Sequence, residues 1–226
     1  MSADLEVITL GRRRYRPVLE IQRELRQRTI AGEIDHDTLL LVEHEPVITL
    51  GRGLKPASMP VPAAALERRG VDVLEVERGG DVTYHGPGQL VGYPILDLRR
   101  HREDLHWYLR RLEASLIEAL DALGVPAERK PGLTGVWTRG RKIASIGIHV
   151  KQWVTLHGFA LNVTTDLSYF DLIVPCGISG VTMTSVAQEL GRSDDSAVWD
   201  ETRLAVVDAF VSTFGFDSPL PIAHSP

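Results

Sequence analysis

Cysteine is nearly absent. Cys176 is the single one in 226 residues, which excludes an intrachain disulfide and a cysteine-rich zinc site and fits a reducing compartment. Neither sign of charge dominates, with 25 basic against 30 acidic side chains and a net charge of -5, so a broad nucleic-acid or anionic-membrane surface is not expected. No stretch reaches the roughly 18 apolar residues of a membrane span, and the start MSADLEVITLGRRRYR lacks the apolar run of a secretory signal. Internal repeats and low-complexity segments are missing as well. These absences predict a cytoplasmic chain that binds neither nucleic acid nor membrane.

What is present is ordinary globular material, 43% hydrophobic and 24% charged. A chain of this length can bury roughly 70% of its unfolded surface, so a core is available without staples. We expect one catalytic domain over residues 1–226, with its core at about 5–215 and a loosely held Pro-rich tail at 217–226.

The patterning predicts a strand at 5–10 and an amphipathic helix at 14–30 with Val18, Ile21 and Leu25 on its apolar side. Strands at 38–42 and 47–50 flank the turn-like His44-Glu45-Pro46, and a strand pair fits best there. Residues 51–70 read as a loop with a short helical turn, and 71–76 as a strand. Glycines break the β-forming segment 78–98. Leucines at 105, 109, 112, 116, 120 and 123 mark a helix over 103–123, stopped by Gly124 and Pro126. A hairpin turns at Arg139-Gly140, a strand spans 153–163, and helices lie at 185–190 and 200–214. Strands outnumber helices and cluster in hairpins, so the expected class is α+β, mixed sheets flanked by helices.

Cys176 sits in Ile-Val-Pro-Cys-Gly-Ile, where Pro and Gly impose a loop-like backbone. Read from residues alone it is more simply a small buried hydrophobe. A nucleophilic role needs an activator, because at a pKa near 8.5 only about 3% of a thiol is thiolate at pH 7. Lys142 is one candidate: strict two-residue alternation puts it on the apolar face of Ala144, Ile146, Ile148 and Val150. A desolvated lysine can act as a base, although one that snorkels to water is the plainer reading. His85, His149 and His157 are the alternatives, and no spacing suggests a metal site. Arg78-Gly79-Gly80 and Gly86-Pro87-Gly88 frame Thr83, Tyr84 and His85, either as a ligand-approachable backbone or as a hairpin with glycine bulges. Gly51-Arg52-Gly53 is a weak phosphate-loop signal without a Walker A pattern.

The segment Arg78-Gly79-Gly80-Asp81-Val82-Thr83-Tyr84-His85-Gly86-Pro87-Gly88-Gln89-Leu90-Val91-Gly92-Tyr93 resembles, nearly position for position, the signature of the lipoyl(octanoyl) transferases. Arg141–Gly147, His157–Asn162 and Ile173–Ile178 follow in the family's order, so the resemblance covers about residues 5–215. It implies the fold of biotin and lipoate protein ligases, a class II aminoacyl-tRNA synthetase/biotin synthetase-like fold. It also implies an acyltransferase that moves octanoyl from octanoyl-acyl carrier protein to a specific lysine of lipoyl domains, the first step of endogenous protein lipoylation. The acceptors implied are 2-oxoacid dehydrogenase E2 subunits and the glycine cleavage H protein.

By the same matching, Cys176 is the nucleophile and Lys142 its activating base. Arg78, Gly79, Gly80, Asp81, Val82, Thr83, Tyr84 and His85, with Ser145, Ile146, Gly147, Gly158, Phe159 and Ala160, are the acyl-substrate contacts. Transthioesterification suits a thiolate, and no cofactor, metal or ATP is required. Burying about seven chain carbons at roughly 0.8 kcal/mol each gives on the order of 5–6 kcal/mol of donor binding. Tyr84, Leu90 and Ile146 are expected to line the acyl tunnel. Acidic protein partners would need local basic patches, for which Arg12, Arg13, Arg14 and Arg16, or Arg139 and Arg141, are candidates. The rivals are an ATP-dependent lipoate or biotin ligase, a catalytically silent lipoyl-domain binding module, and a Cys-His thioesterase.

Overall fold

The computed structural model describes residues 4–174, 180–192, 196–217 and 223–224. The sequence reading of Cys176 and of its Pro175, Gly177 and Ile178 neighbours therefore lies outside the described residues.

β-branched and leucine-rich segments build two sheets. The strands are β1 (Leu5–Arg13), β2 (Asp37–His44), β3 (Val47–Leu50), β4 (Asp72–Glu75), β5 (Val82–His85) and β6 (Gln89–Ile95), then β7 (Glu128–Lys130), β8 (Leu133–Thr138), β9 (Arg141–Lys151), β10 (Val154–Asn162) and β11 (Ala223–His224). Eight of them form a mixed sheet in the order β11-β1-β2-β6-β10-β9-β8-β7, and the other three form the sheet β4-β3-β5. The helices are α1 (Tyr15–Ile30), α2 (Ala63–Glu67), α3 (Leu105–Ala122), α4 (Val186–Leu190) and α5 (Ser196–Phe214). This is the expected α+β class. Among the described residues no helix is long and apolar enough to cross a membrane.

Period-two alternation sorts side chains to the two faces of the large sheet. Leu39, Leu41, Leu90 and Leu161 enter the core shared with Leu112, Leu116 and Leu120 of α3 and Phe210 of α5. Leu40, Val42, Val91 and Ala160 turn to the other face, where Tyr15, Val18 and Leu19 of α1 cover them. A third core lies under the small sheet, where Ile48 and Tyr84 pack on Phe170.

Several expectations are corrected. β2 and β3 do not pair, because Pro46 carries the chain from one sheet to the other. Glu45 N–H bonds Arg13 O, and β3 takes β4 and β5 as partners instead. The leucine stripe of α3 is not wholly core: Leu105 is 44% exposed, and Tyr108 and Ala119 fill buried positions. On α1 the same happens to Ile21, which is exposed while Gln22 is buried. Helix α5 begins at Ser196, four residues earlier than its pattern suggests, and β7 went unpredicted. The two-residue β11 brings part of the tail back to pair in parallel with Ile8 and Thr9.

Candidate active site

The turn at 78–81 is the organising feature. It lies over β9, with Gly79 N–H donating to Ile148 O at 2.8 Å, and under the loop after β3, with Gly53 N–H donating to Gly80 O at 2.9 Å. Arg78 is buried and ties the turn to β3: its guanidinium donates to Thr49 O at 2.7 Å and to Thr49 Oγ1 at 2.9 Å, and within the turn to Gly79 O at 3.1 Å. Asp81 fixes the far side, accepting from Ser58 Oγ at 2.6 Å. A Cβ on Gly147 would stand 3.0 Å from Gly79 O, so glycine lets β9 approach the turn this closely.

Between this turn and strands β6, β10 and β9 lies a pocket that opens to solvent, lined by Val91, Tyr93 and Ala160 from the α1 face and by Ile146 and Phe159 from the other. Every residue assigned to acyl contact from the sequence lines it except Tyr84. Tyr84 stacks on Tyr169 with ring centroids 4.6 Å apart and abuts Phe170, in the core of the small sheet. Leu90 is likewise no tunnel residue, because β6 sends it to the α3 and α5 face. Of the three expected tunnel residues only Ile146 borders the cavity. Tyr15, Val91, Tyr93 and His157 line it without having been assigned that role. Val91 and Tyr93 were within reach of the period-two rule applied to β6, whereas Tyr15 carries no signal that single-sequence reading could use.

Next to the buried Arg78, the inner wall carries imidazoles and phenols. His44 is pushed down to about 4 by burial, and its Nδ1 donates to Arg13 O, leaving Nε2 to accept from the Tyr93 hydroxyl at 2.8 Å. Burial pushes Tyr15 up to about 12 and Tyr93 well above its ordinary value. Gln89 Nε2 donates to Tyr84 O and Asn162 Oδ1, so its Oε1 accepts from His85 Nδ1 at 2.8 Å. His85 Nε2 faces the Thr49 hydroxyl, and burial followed by His44 holds the ring well below the ordinary histidine range. These buried imidazoles and phenols, with Val91, Phe159 and Ala160, give the wall an apolar and hydrogen-bonding lining beside the Arg78 guanidinium.

His157 has φ +60°, in the left-handed region uncommon for a residue with a side chain. Its N–H donates to Gln22 Oε1 at 3.1 Å, and Nδ1 meets the Tyr15 hydroxyl at 3.4 Å. Burial lowers its pKa, and it holds Glu77 well below the usual carboxylate range, with help from Arg23. Backbone strain at a pocket wall marks a position that the surroundings over-determine.

Lys142 is 1% exposed, which corrects the solvent-reaching alternative. Its N–H donates to Thr182 O at 2.8 Å and its carbonyl accepts from Thr184 N–H at 3.0 Å, while Nζ lies 5.6 Å from the Trp137 ring centre. Strict alternation misplaces it. The register of β8 and β9 shifts between Val136 and Trp137, and the consecutive Ile143 and Ala144 both enter the α3 and α5 core. A bulge at this point resets the alternation, which puts Lys142 on the Ser145 and Gly147 side, not on that of Ile146 and Ile148. The pocket and this strand are tied together, since Asn162, which accepts from Gln89, donates its Nδ2 to Thr184 O at 3.0 Å.

The candidate basic patches are partly neutralised. Arg139 and Arg141 both pair with the buried Glu189, at 3.3 and 2.8 Å, and Arg12 pairs with Glu43 at 2.9 Å. Among the described residues no group of three or more His, Cys, Asp and Glu could hold a metal ion.

Residues 14–211 match the lipoyl protein ligase A/B catalytic domain, and the chain belongs to that family. An octanoyltransferase of Koribacter versatilis is 51% identical over 194 residues, covering 84% of this chain and 77% of the relative. The octanoyltransferases are accordingly the branch of the family to which the chain belongs. Solved structures agree on the fold. A bipartite lipoate protein ligase from Thermoplasma acidophilum superimposes with a TM-score of 0.73 at 19% identity, over 99% of this chain and 88% of that one. The biotin protein ligase of Aquifex aeolicus gives 0.50 at 14% identity, over 94% and 69%.

Proposed function

We propose that the protein transfers an octanoyl group from octanoyl-acyl carrier protein to the target lysine of lipoyl domains, through a thioester on Cys176, as one cytoplasmic catalytic domain. The acceptors in this reading are the E2 subunits of 2-oxoacid dehydrogenases and the glycine cleavage H protein. The observation that carries it is the burial of Lys142 on the pocket side of β9, hydrogen-bonded to Thr182 and Thr184, which follow Cys176 by six and eight residues.

In the first half-reaction Lys142 Nζ takes the Cys176 thiol proton, and the thiolate attacks the donor carbonyl. The carbonyl–sulfur bond to the carrier breaks, and the carrier thiolate leaves with the proton returned by Lys142. In the second, the acceptor lysine attacks the octanoyl-cysteine carbonyl after losing a proton to Lys142. The amide forms and the Cys176 thiol is regenerated. The residues lining the cavity hold the chain, and the 78–81 turn presents backbone to it.

Incubation with octanoyl-acyl carrier protein without ATP, followed by intact-mass measurement, tests this. Wild type should gain about 126 Da for one octanoyl group, and Cys176→Ser should not. A requirement for ATP would point to ligase chemistry, and free octanoate without acceptor acylation to a thioesterase; either refutes the proposal.

A further inference from the structure

Gly51-Arg52-Gly53 cannot cradle a phosphate with its backbone, because all three amides are engaged. Gly51, Arg52 and Gly53 N–H donate to Asp81 O, Arg78 O and Gly80 O at 3.0, 3.0 and 2.9 Å. A Cβ on Gly53 would stand 3.1 Å from Gly80 O, and one on Gly51 would run into the same carbonyl. The motif is a clamp on the 78–81 turn, and it leaves the exposed Arg52 side chain at the pocket rim.

The opposite side of that turn carries a second cation. Gly79 N–H is bonded to Ile148 O, which sets the next residue of β9, His149, beside the turn. Arg26 reaches across from α1 and donates to His149 Nδ1 at 2.9 Å. An imidazole that accepts at Nδ1 carries its proton on Nε2, a third donor. Burial, Arg26 and Arg52 push this ring below the ordinary histidine pKa, and Glu77 opposes them; Arg52 is held to the same turn by its own N–H, which donates to Arg78 O. Of the other arginines on α1, Arg23 pairs with Glu77 and Glu20, and Arg28 with Glu33. Among the described residues no such pair is made by Arg26 or Arg52.

We propose that Arg26, Arg52 and the His149 Nε2–H form an anion subsite at the pocket rim that binds the phosphodiester of the donor's phosphopantetheine arm. This rests on the transfer reading above. An acyl carrier protein presents its thioester at one end of that arm, and the phosphodiester at the other end is the arm's only charge. Two guanidinium groups and a neutral N–H donor match it. Anchored there, the arm feeds the acyl chain past Gly79 and Gly147 into the cavity, and the subsite selects donors by the arm as well as by the acyl group.

The test compares acylation rates of the full chain with octanoyl-phosphopantetheine and octanoyl-pantetheine, which differ only in the phosphate, read by intact mass without ATP. Wild type should prefer the phosphorylated donor by about tenfold in kcat/KM, and Arg52→Gln and Arg26→Gln should each bring that ratio toward one. Arg28→Gln, on the same helix but paired with Glu33, should keep the wild-type ratio. Equal rates for the two donors in wild type, or an unchanged ratio in both variants, would overturn the subsite. Acylation by the carrier protein with neither small donor active would place recognition on the folded carrier and also overturn it. No adduct from any donor, the carrier protein included, would instead sink the transfer reading itself.

Discussion

Leu90 and Val91 are adjacent on β6 and leave the sheet on opposite faces, so truncating each should separate stability from chain-length selection. Val91 borders the cavity on the α1 side, while Leu90 is buried against α3 and α5. Val91→Ala removes two carbons from the wall; at roughly 0.8 kcal/mol per buried carbon the most it can cost octanoyl binding is about 1.6 kcal/mol, or about fifteenfold. The space it opens is available to two further chain carbons, so decanoyl donors should lose less or gain. Leu90→Ala should cost about 2–5 kcal/mol of stability as a core cavity and leave the decanoyl/octanoyl ratio where it was. The assay is the rate of Cys176 acylation by each donor, followed by mass, alongside urea denaturation. A ratio that moves in Leu90→Ala and stays fixed in Val91→Ala would refute the assignment of the chain to the α1 face.

Lys142→Met keeps the buried stem and removes the amine, so it should slow acylation of Cys176 by about 10²–10⁴-fold with a native melting profile; retained acylation would remove Lys142 from the mechanism. His44 binds no proton in the folded state until pH falls to about 4, whereas unfolded histidine binds one near 6.5. Its stabilising contribution is therefore whole above pH 6.5 and declines as pH drops toward 4, by on the order of 3 kcal/mol, and His44→Asn should flatten that decline in urea titrations at stepped pH. Glu113 is buried, accepts from Arg110 at 2.6 Å and Arg129 at 3.1 Å, and takes the Gly135 N–H at 3.3 Å. Arg110 and Arg129 are open to water, so Glu113→Ala leaves chiefly the Gly135 N–H unmatched, behind which lies the Lys142 stem, and should cost about 1–3 kcal/mol; a thermal melt unchanged within a degree would contradict this.

Local patterning made most elements legible. The leucine spacing of α3 and the Arg139-Gly140 hairpin follow from helical and strand periods, and the glycine pairs at 79–80 and 86–88 correctly announced broken strands. Non-local decisions were hidden. Nothing in His44-Glu45-Pro46 says that the chain changes sheets there, because the deciding hydrogen bonds come from Arg13 and from the Asp72 end of β4. The residues named by the motif resemblance line one cavity except for Tyr84, which the resemblance treated as equivalent to its neighbours. On a strand, alternate residues face opposite ways, and Thr83 and His85 meet the cavity while Tyr84 packs under the small sheet.

The same alternation, applied without interruption, puts Lys142 on the wrong face, and the reason bears on mechanism. A regular β9 would turn the amine toward α3 and α5, while Ser145 and Gly147 faced the cavity. The bulge at Ile143 and Ala144 sends two successive apolar side chains into the core and so returns Lys142 to the cavity side. A bulge is held by register, and here that register is fixed at both ends. Beyond it, Val136 pairs with Ala144 and Leu156 with His149; before it, Thr182 and Thr184 bond the Lys142 backbone on its outer edge. The strand that positions Lys142 is thus also bonded to the chain that leads back to Cys176, as the proposed transfer requires. Inserting one alanine between Lys142 and Ile143 would keep the bulge, give the alanine the place between Thr182 and Thr184, and turn the lysine one step back to the other face. It should therefore abolish Cys176 acylation far more completely than it lowers the melting temperature, and an insertion variant that still acylates Cys176 would show that the bulge does not set the face.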